Sequence, residues 1–452
     1  MDKNLTSGSV LKNIIRFSLP YLLAYFLQTL YGMADLYIIG QFEGVDNITA
    51  VSIGSQVMHM ITVMIVGLAM GSTVTIGRAI GAKQKEQASN LIGNTLSMFI
   101  AGSVIVSGLL ILFVNDIVSF MSTPTEAITG TKMYLMICFF GIPFITAYNI
   151  LSSIFRGIGD SKSPMYFIAV ACVSNIVLDY VFIGVMRFGA AGAALGTTIS
   201  QTISVMVAVG VILKRNTGLK LRKCDFKLRK NITGRILKIG IPVALQDGFI
   251  QIAFLLITII ANTRGLNDAA AVGIVEKLID MLFLVPSAML SSVSALAAQN
   301  IGAGKHDRAS KTLQYAIVMC VGFGIIATIA IQFAADPIVG IFSDNNEVIR
   351  LGSQYFKGYI FDCIFAGIHF CYSGYFCAYG KSGISFLHNV LSIILVRVPG
   401  AYLASKLFVN TLFPMGLAAG AGSILSSVIC IVFYISLKRK KNSLRRFGLT
   451  IQ

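Results

Sequence analysis

The chain has 452 residues, of which 56% are hydrophobic and 12% are charged. A soluble domain carries about 25% charged residues, so this composition excludes a soluble globular protein and predicts a membrane protein. The formal net charge of +17 does not indicate nucleic-acid binding, because the basic residues collect in alternate loops, as topology signals do.

Long apolar segments recur along the whole chain and predict an all-α, polytopic membrane protein with twelve transmembrane helices. Each segment can cross a hydrocarbon core about 30 Å thick at about 1.5 Å per residue. The first segment lacks a small-residue cleavage site and is interpreted as a retained span. The predicted spans are residues 14–39, 48–76, 90–114, 131–155, 163–185, 190–213, 236–262, 269–298, 311–334, 351–377, 383–407 and 413–437.

The basic residues predict the orientation of the spans. They lie before span 1, after spans 2, 4, 6, 8 and 10, and in the C-terminal tail. Cytoplasmic loops are enriched in Lys and Arg, so both termini are predicted to be cytoplasmic in a multi-pass protein of the cell membrane. Arg397 lies inside span 11 and is expected to pair or to face a cavity.

Enzymatic and cofactor-dependent functions are not indicated. The eight cysteines lie mostly inside apolar spans, without the spacing of a disulfide framework or a zinc site. The sequence contains neither a phosphate-binding loop nor a histidine pair at metal-ligand spacing. We therefore expect no enzyme activity and no cofactor, and transport would be driven by an ion gradient.

The two halves of the chain repeat. Residues 16–20 match 238–242, residues 80–83 match 301–305, and residues 192–196 match 416–420. Such a repeat predicts two pseudo-symmetric six-helix bundles related by an axis along the membrane normal, with alternating access as the default mechanism. Duplication without transport remains an alternative. The predicted domains are an N-terminal bundle at 1–213, a basic cytoplasmic linker at 214–235, a C-terminal bundle at 236–440 and a basic tail at 441–452.

Span 1 carries a carboxylate inside an apolar segment. Gln28, Tyr31 and Asp35 are spaced i, i+3 and i+7, so a helix places them on one face. A carboxylate at the bilayer centre costs about 2.5–3.5 kcal/mol on insertion scales, and such groups face protein or a water-filled cavity. Asp35 is interpreted either as an ion- or proton-binding group or as a buried carboxyl that only fixes helix packing.

Polar residues of spans 5 and 6 are expected at the same depth as Asp35. Asn175 and Asp179 share a helix face of span 5. Span 6 runs in the opposite direction, and Thr197 in its first third is expected at the same depth. Two carboxylates this close need a shared proton or a hard cation such as Na⁺. The four residues therefore predict a proton or Na⁺ site, the alternative being a static hydrogen-bonded cluster. No other metal is expected.

The second half has a polar set of its own, expected to line a cavity that attracts cationic substrates. Glu276 and Asp280 lie on one face of span 8, next to Lys277. A salt bridge with Lys277 is an equally good explanation for either acid. The remaining acids of the predicted substrate cavity are Asp247 and Asp362.

The sequence resembles the multidrug and toxic compound extrusion (MATE) transporters over nearly its whole length. The resemblance rests on the motifs at 18–20, 33–40, 80–83, 175–179 and 189–197, which are specific only together. It implies a hinge at Pro20 and a coupling cluster for a cation or proton in the first half. The matching positions of that cluster are Gln28, Tyr31, Asp35, Asn149, Asn175, Asp179 and Thr197.

The sequence departs from another branch of the family, in which span 7 carries a glutamate. Here that position is Ile250, so a sodium site in the second half is not expected. The predicted function is an antiporter that exports hydrophobic, often cationic compounds while H⁺ or Na⁺ enters. Alternatives are a lipid-linked oligosaccharide flippase of the same superfamily and a channel or membrane scaffold. The expected partners are small organic molecules and the lipid bilayer, without nucleic acid, and the chain is expected to be a monomer.

Overall fold

A computed structural model describes the backbone of residues 5–214 and 221–446 and the side chains up to residue 439. Within these residues, twelve helices are long and apolar enough to cross a membrane, and there is no strand. All twelve predicted spans and the all-α fold class are confirmed. The helices are α1 Val10–Phe42, α2 Val45–Gly81, α3 Lys85–Leu112, α4 Thr125–Ile158, α5 Lys162–Val185, α6 Gly189–Lys214, α7 Lys230–Asn262, α8 Leu266–Gly302, α9 His306–Gly340, α10 Asn346–Ala378, α11 Ser382–Leu407 and α12 Phe413–Arg439.

Two of the expected boundary segments lie partly outside the described residues. Of the predicted linker, residues 215–220 are not described, and the rest begins with a short 3₁₀ turn at Lys223–Phe226. Of the predicted tail, residues 447–452 are not described, and the last helix continues to Arg446. The proposed domain limits stay a prediction.

Spatial contacts divide the chain into two compact units. The first contains Met1–Ala244 together with Ala295–Ala309, and the second contains Leu245–Ser294 and Ser310–Gln452. The last two turns of α8 therefore belong to the first unit, although they lie in the second sequence repeat.

Two glycines bring α2 and the end of α8 into backbone contact within the first unit. A Cβ on Gly81 would lie 2.0 Å from the carbonyl oxygen of Gln299, and a Cβ on Gly302 would lie 2.0 Å from that of Arg78. Only glycine allows backbones to approach so closely. Gln299 adds a hydrogen bond from its Nε2 to the carbonyl oxygen of Gly157, at 2.9 Å. These contacts join the matched 80–83 and 301–305 segments.

An apolar core of the first unit packs around the C-terminal end of α1, next to the carboxylate of that helix. Ile38 and Ile39 of α1 pack with Tyr134 and Phe139 of α4 and with Ile183 of α5. All five are buried. Packing on both sides fixes the rotation of α1 about its axis, so residues on the same face as Ile38 point inward.

Candidate functional site

The structure brings two carboxylates together in the first unit. The side chains of Asp35 and Asp179 are 5% and 0% exposed, and their carboxyls are in contact with each other. Thr197 donates its Oγ1 hydrogen to Asp35 Oδ2 at 3.3 Å. Asn175 donates from Nδ2 to Asp179 Oδ2, also at 3.3 Å. Asp35, Asn175, Asp179 and Thr197 therefore form one buried group, which we call the carboxyl pair site.

The carboxyl pair site has more acceptor atoms than donors. Asp35 Oδ1, Asn175 Oδ1 and Asp179 Oδ1 are buried, and none has a hydrogen-bond partner among the described residues. A buried polar atom without a partner costs free energy. A proton or a hard cation would satisfy these oxygens, and an all-oxygen donor set of carboxylate, amide and hydroxyl suits Na⁺.

Local backbone structure holds Asp179 in place from two directions. A π-helical turn, Tyr180–Val185, begins at the next residue, and such turns occur frequently at functional sites. On the facing helix, a Cβ on Gly196 would lie 1.9 Å from Asp179 Oδ1. The direct contact between Gly196 and the carboxylate was not predicted from the sequence.

The other three residues of the predicted coupling cluster lie farther along α1 and α4. Tyr31 is close to Asp35, Tyr148 and Gln201. Gln28 and Asn149 instead line a narrow cavity of about 20 Å³, and Asn149 donates from Nδ2 to the carbonyl oxygen of Ile145 at 2.8 Å. Tyr31 therefore adjoins the group of four, Gln28 and Asn149 lie at the cavity, and the coupling role of the seven residues stays a prediction.

Pro20 lies inside α1, which is helical through it. Proline has no N–H group, so the carbonyl of Arg16 lacks its usual intrahelical partner. The helix is therefore weakest here, as a hinge requires, and the hinge itself stays a prediction.

Arg397 forms an ion pair in the second unit, in agreement with the expectation that it would pair or face a cavity. Its Nη2 lies 3.7 Å from Asp362 Oδ2, and it also donates a hydrogen bond to the hydroxyl of Tyr359. The guanidinium stands 5.1 Å from the ring centre of Phe254. Asp362 is fully buried beside this cation, and its role in a substrate cavity stays a prediction. A second π-helical turn ends at Arg397.

Three of the four acids of the predicted substrate cavity, Glu276, Asp280 and Asp362, lie close to Tyr359. Glu276 accepts a hydrogen bond from Thr258 Oγ1 at 3.1 Å, and its Oε1 is buried without a partner among the described residues. Asp280 and Lys277 are exposed, and Asp247 is half-buried. Neither Glu276 nor Asp280 forms a salt bridge with Lys277 among the ion pairs of the described chain.

A histidine pair in the second unit was not predicted. The rings of His369 and His388 are 5.4 Å apart. His369 Nε2 lies 3.2 Å from Ser423 Oγ, and His388 Nε2 lies 2.8 Å from Ser373 Oγ. The two histidines are 19 residues apart on different helices, so spacing in the sequence could not reveal the pair.

Within the described part of the chain, twelve helices that can cross a membrane and a buried carboxyl pair are typical of a membrane transporter. The MatE family model matches two segments, residues 20–181 and 242–403, which begin 222 residues apart. The chain therefore belongs to the MATE family, and the predicted internal repeat is confirmed. The family is one of transporters rather than enzymes.

Named relatives support this placement. The chain is 27% identical over 439 residues to the "Probable multidrug resistance protein YpnP" of Bacillus subtilis, covering 95% of this chain and 96% of the relative. It is 26% identical over 375 residues to the "Multidrug export protein MepA" of Staphylococcus haemolyticus, covering 83% and 82%. A crystal structure of MATE in complex with MaL6 has the same fold, with a TM-score of 0.90 at 22% identity, covering 99% of this chain and 100% of that chain.

Proposed function

We propose that the chain is an antiporter that exports hydrophobic, often cationic drugs and toxic compounds while H⁺ or Na⁺ enters. The observation that carries the proposal is the carboxyl pair site, where buried carboxylates and oxygens without partners occur inside a transporter. The printed names of the relatives, multidrug resistance and multidrug export proteins, support drugs as the substrate class.

The carboxyl pair site would couple the two fluxes through charge. Asp35 and Asp179 repel each other when both are ionised, and a bound proton or Na⁺ removes the repulsion. An ion shifts a conformational equilibrium only if it binds the two states differently. With both termini cytoplasmic, Asp35 lies towards the outer side, so ion loading from outside would favour the state that releases drug.

The acids of the second half are proposed to contact the substrate, and Glu276 is the best placed of them. Its buried Oε1 has no partner within the described part of the chain, so a cationic or hydrogen-bonding drug would satisfy it. A flippase for anionic lipid-linked sugars would need a strongly basic cavity. The one Arg inside span 11 lies beside Asp362, which favours the drug exporter.

Transport in proteoliposomes under separately imposed gradients tests the proposal. We expect an imposed pH gradient or an imposed Na⁺ gradient to drive ethidium transport. The driving ion should cross the membrane in the direction opposite to ethidium. A channel would carry ionic current without countertransport. Absence of ethidium movement under both gradients would contradict the antiporter.

Gly196→Ala is expected to lower efflux by up to about 10²-fold, because displacement of a reacting group by about 1 Å can have an effect of this size. The new Cβ would lie 1.9 Å from Asp179 Oδ1 and must push the carboxylate away. Gly210→Ala in the same helix is the matched control, since nothing lies within 4 Å of its added Cβ. Initial ethidium efflux rates at equal protein levels are the measurement. Equal rates for the two variants would contradict the prediction.

A further inference from the structure

A stripe of polar residues follows one face of α1 inward from the carboxyl pair site. Its positions are spaced 3–4 residues apart, so they share a face, and 14 residues correspond to about 21 Å of helix. Two of its members touch directly, since the hydroxyls of Tyr21 and Tyr25 are 3.3 Å apart. The stripe consists of Tyr21, Tyr25, Gln28, Tyr31 and Asp35.

A second polar stripe on α4 faces the first. Its members Tyr148, Asn149 and Arg156 line the same narrow cavity as Tyr21, Tyr25 and Gln28. The Arg156 guanidinium stands 4.9 Å from the ring centre of Tyr21, at the end of the cavity next to the loop between α4 and α5. Tyr148 connects the two ends, because it lies near Arg156 and Tyr21 and also near Tyr31.

The space between the stripes suits one water molecule. The cavity measures about 20 Å³, and a site of more than about 10–15 Å³ with polar partners can hold a water. Ser152 Oγ, one turn from Arg156, is buried without a partner in the described residues. Around the stripes, Leu151, Phe155 and Phe167 form an apolar cluster that includes partly buried Leu27 and Tyr31. The polar side chains of the two stripes thus form a continuous path through an otherwise apolar part of the first unit.

We propose that these facing stripes form the inner passage by which a proton leaves the carboxyl pair site for the cytoplasm, and that Arg156 excludes metal cations from it. The inference rests on the proposed antiport function and extends it to named residues outside the coupling cluster. A fixed guanidinium repels Na⁺, and the cavity has no room for a hydrated ion. A proton needs no such room, because it moves between neighbouring oxygens.

Each transfer in the passage conserves protons. The carboxylic acid gives its proton to the Tyr31 oxygen while Tyr31 releases its own proton inward, so the phenol is unchanged. The same exchange at the water and at the Tyr148 and Tyr21 hydroxyls delivers one proton to the cytoplasm and leaves one carboxylate. The other titratable groups near the outer end are Tyr134, Cys138 and Cys172.

The first test removes two hydroxyls without changing side-chain shape. We expect Tyr21→Phe combined with Tyr148→Phe to lower proton-driven ethidium efflux about 10²-fold, the lower end of the effect of losing proton-transfer groups, with an unchanged KM. Tyr166→Phe is the control, since Tyr166 is 58% exposed. Efflux at the wild-type rate, or a loss accompanied by a raised KM, would overturn the passage.

The second test concerns Arg156 and does not depend on the tyrosines. Arg156→Gln is expected to admit drug-dependent ²²Na⁺ uptake into proteoliposomes that is absent from the wild type, whereas Arg156→Lys, which keeps the charge, is not. Uptake that is the same in all three proteins would overturn the excluding role. Asp35→Asn distinguishes failure of the antiport proposal from failure of the passage proposal. If Asp35→Asn transports normally, the antiport proposal fails. If Asp35→Asn is inactive while the tyrosine and Arg156 variants behave like the wild type, only the passage proposal fails.

Discussion

Asp35→Asn is expected to lower gradient-driven drug efflux by a factor of about 10² or more, the scale on which an obligatory proton-transfer group acts. The amide has nearly the same shape and can still accept the hydrogen bond from Thr197, whose Oγ1 lies 3.3 Å from Asp35 Oδ2. It cannot be deprotonated, and it offers no charge to a cation. The carboxyl pair site would then keep only the Asp179 carboxyl, and the repulsion between two carboxylates that ion binding relieves would be absent.

The measurement is ethidium efflux from proteoliposomes, with membrane insertion and thermal stability determined in parallel. Asp116→Asn provides the control, because Asp116 is exposed in a short helix between α3 and α4. We expect this variant to transport like the wild type. If Asp35→Asn does so as well, the carboxyl pair is a structural feature and the coupling proposal is wrong.

Arg397→Gln is expected to destabilise the protein by about 3–5 kcal/mol, the usual cost of breaking a buried ion pair by removing one partner. Asp362 is fully buried and would lose the cation that lies 3.7 Å away. The variant should show a clearly lower unfolding temperature in detergent. Arg350→Gln is the control, since its 2.6 Å pair with Glu347 is 47% and 46% exposed and should contribute less than about 1 kcal/mol.

A double variant tests whether the loss of stability in Arg397→Gln comes from leaving the Asp362 charge unpaired. Arg397→Leu with Asp362→Leu removes both charges, and replacing a buried pair by apolar residues is often neutral. We expect the double variant to recover much of the stability that Arg397→Gln loses. An Arg397→Gln protein that unfolds at the same temperature as Arg350→Gln would show that Asp362 does not need this cation.

The twelve helices could be predicted because lipid requires every spanning segment to be long, apolar and internally hydrogen-bonded. The grouping of Asp35, Asn175, Asp179 and Thr197 was also accessible. Helical periodicity gives the face of each residue, and the direction of each span gives its depth. The helix face and the depth of each residue are enough to predict such a group when the helices involved are neighbours.

The partners of individual side chains could not be predicted in the same way. The burial of Asp362 beside Arg397 and the contact between Gly196 and Asp179 depend on how each helix rotates about its own axis. That rotation is set by packing against several other helices at once. For the same reason, the sequence did not reveal that Gln28 of α1 and Asn149 of α4 line a cavity. The resemblance had placed both residues in the coupling cluster.

The end of α8 leaves the second unit and completes the first, so the two halves of the chain are not independent folding units. The first half expressed alone would lack Ala295–Ala309, which the first unit takes from the second repeat, whereas the second unit contains no segment of the first repeat. A first-half fragment of this chain should accordingly accumulate only when the second half is co-expressed.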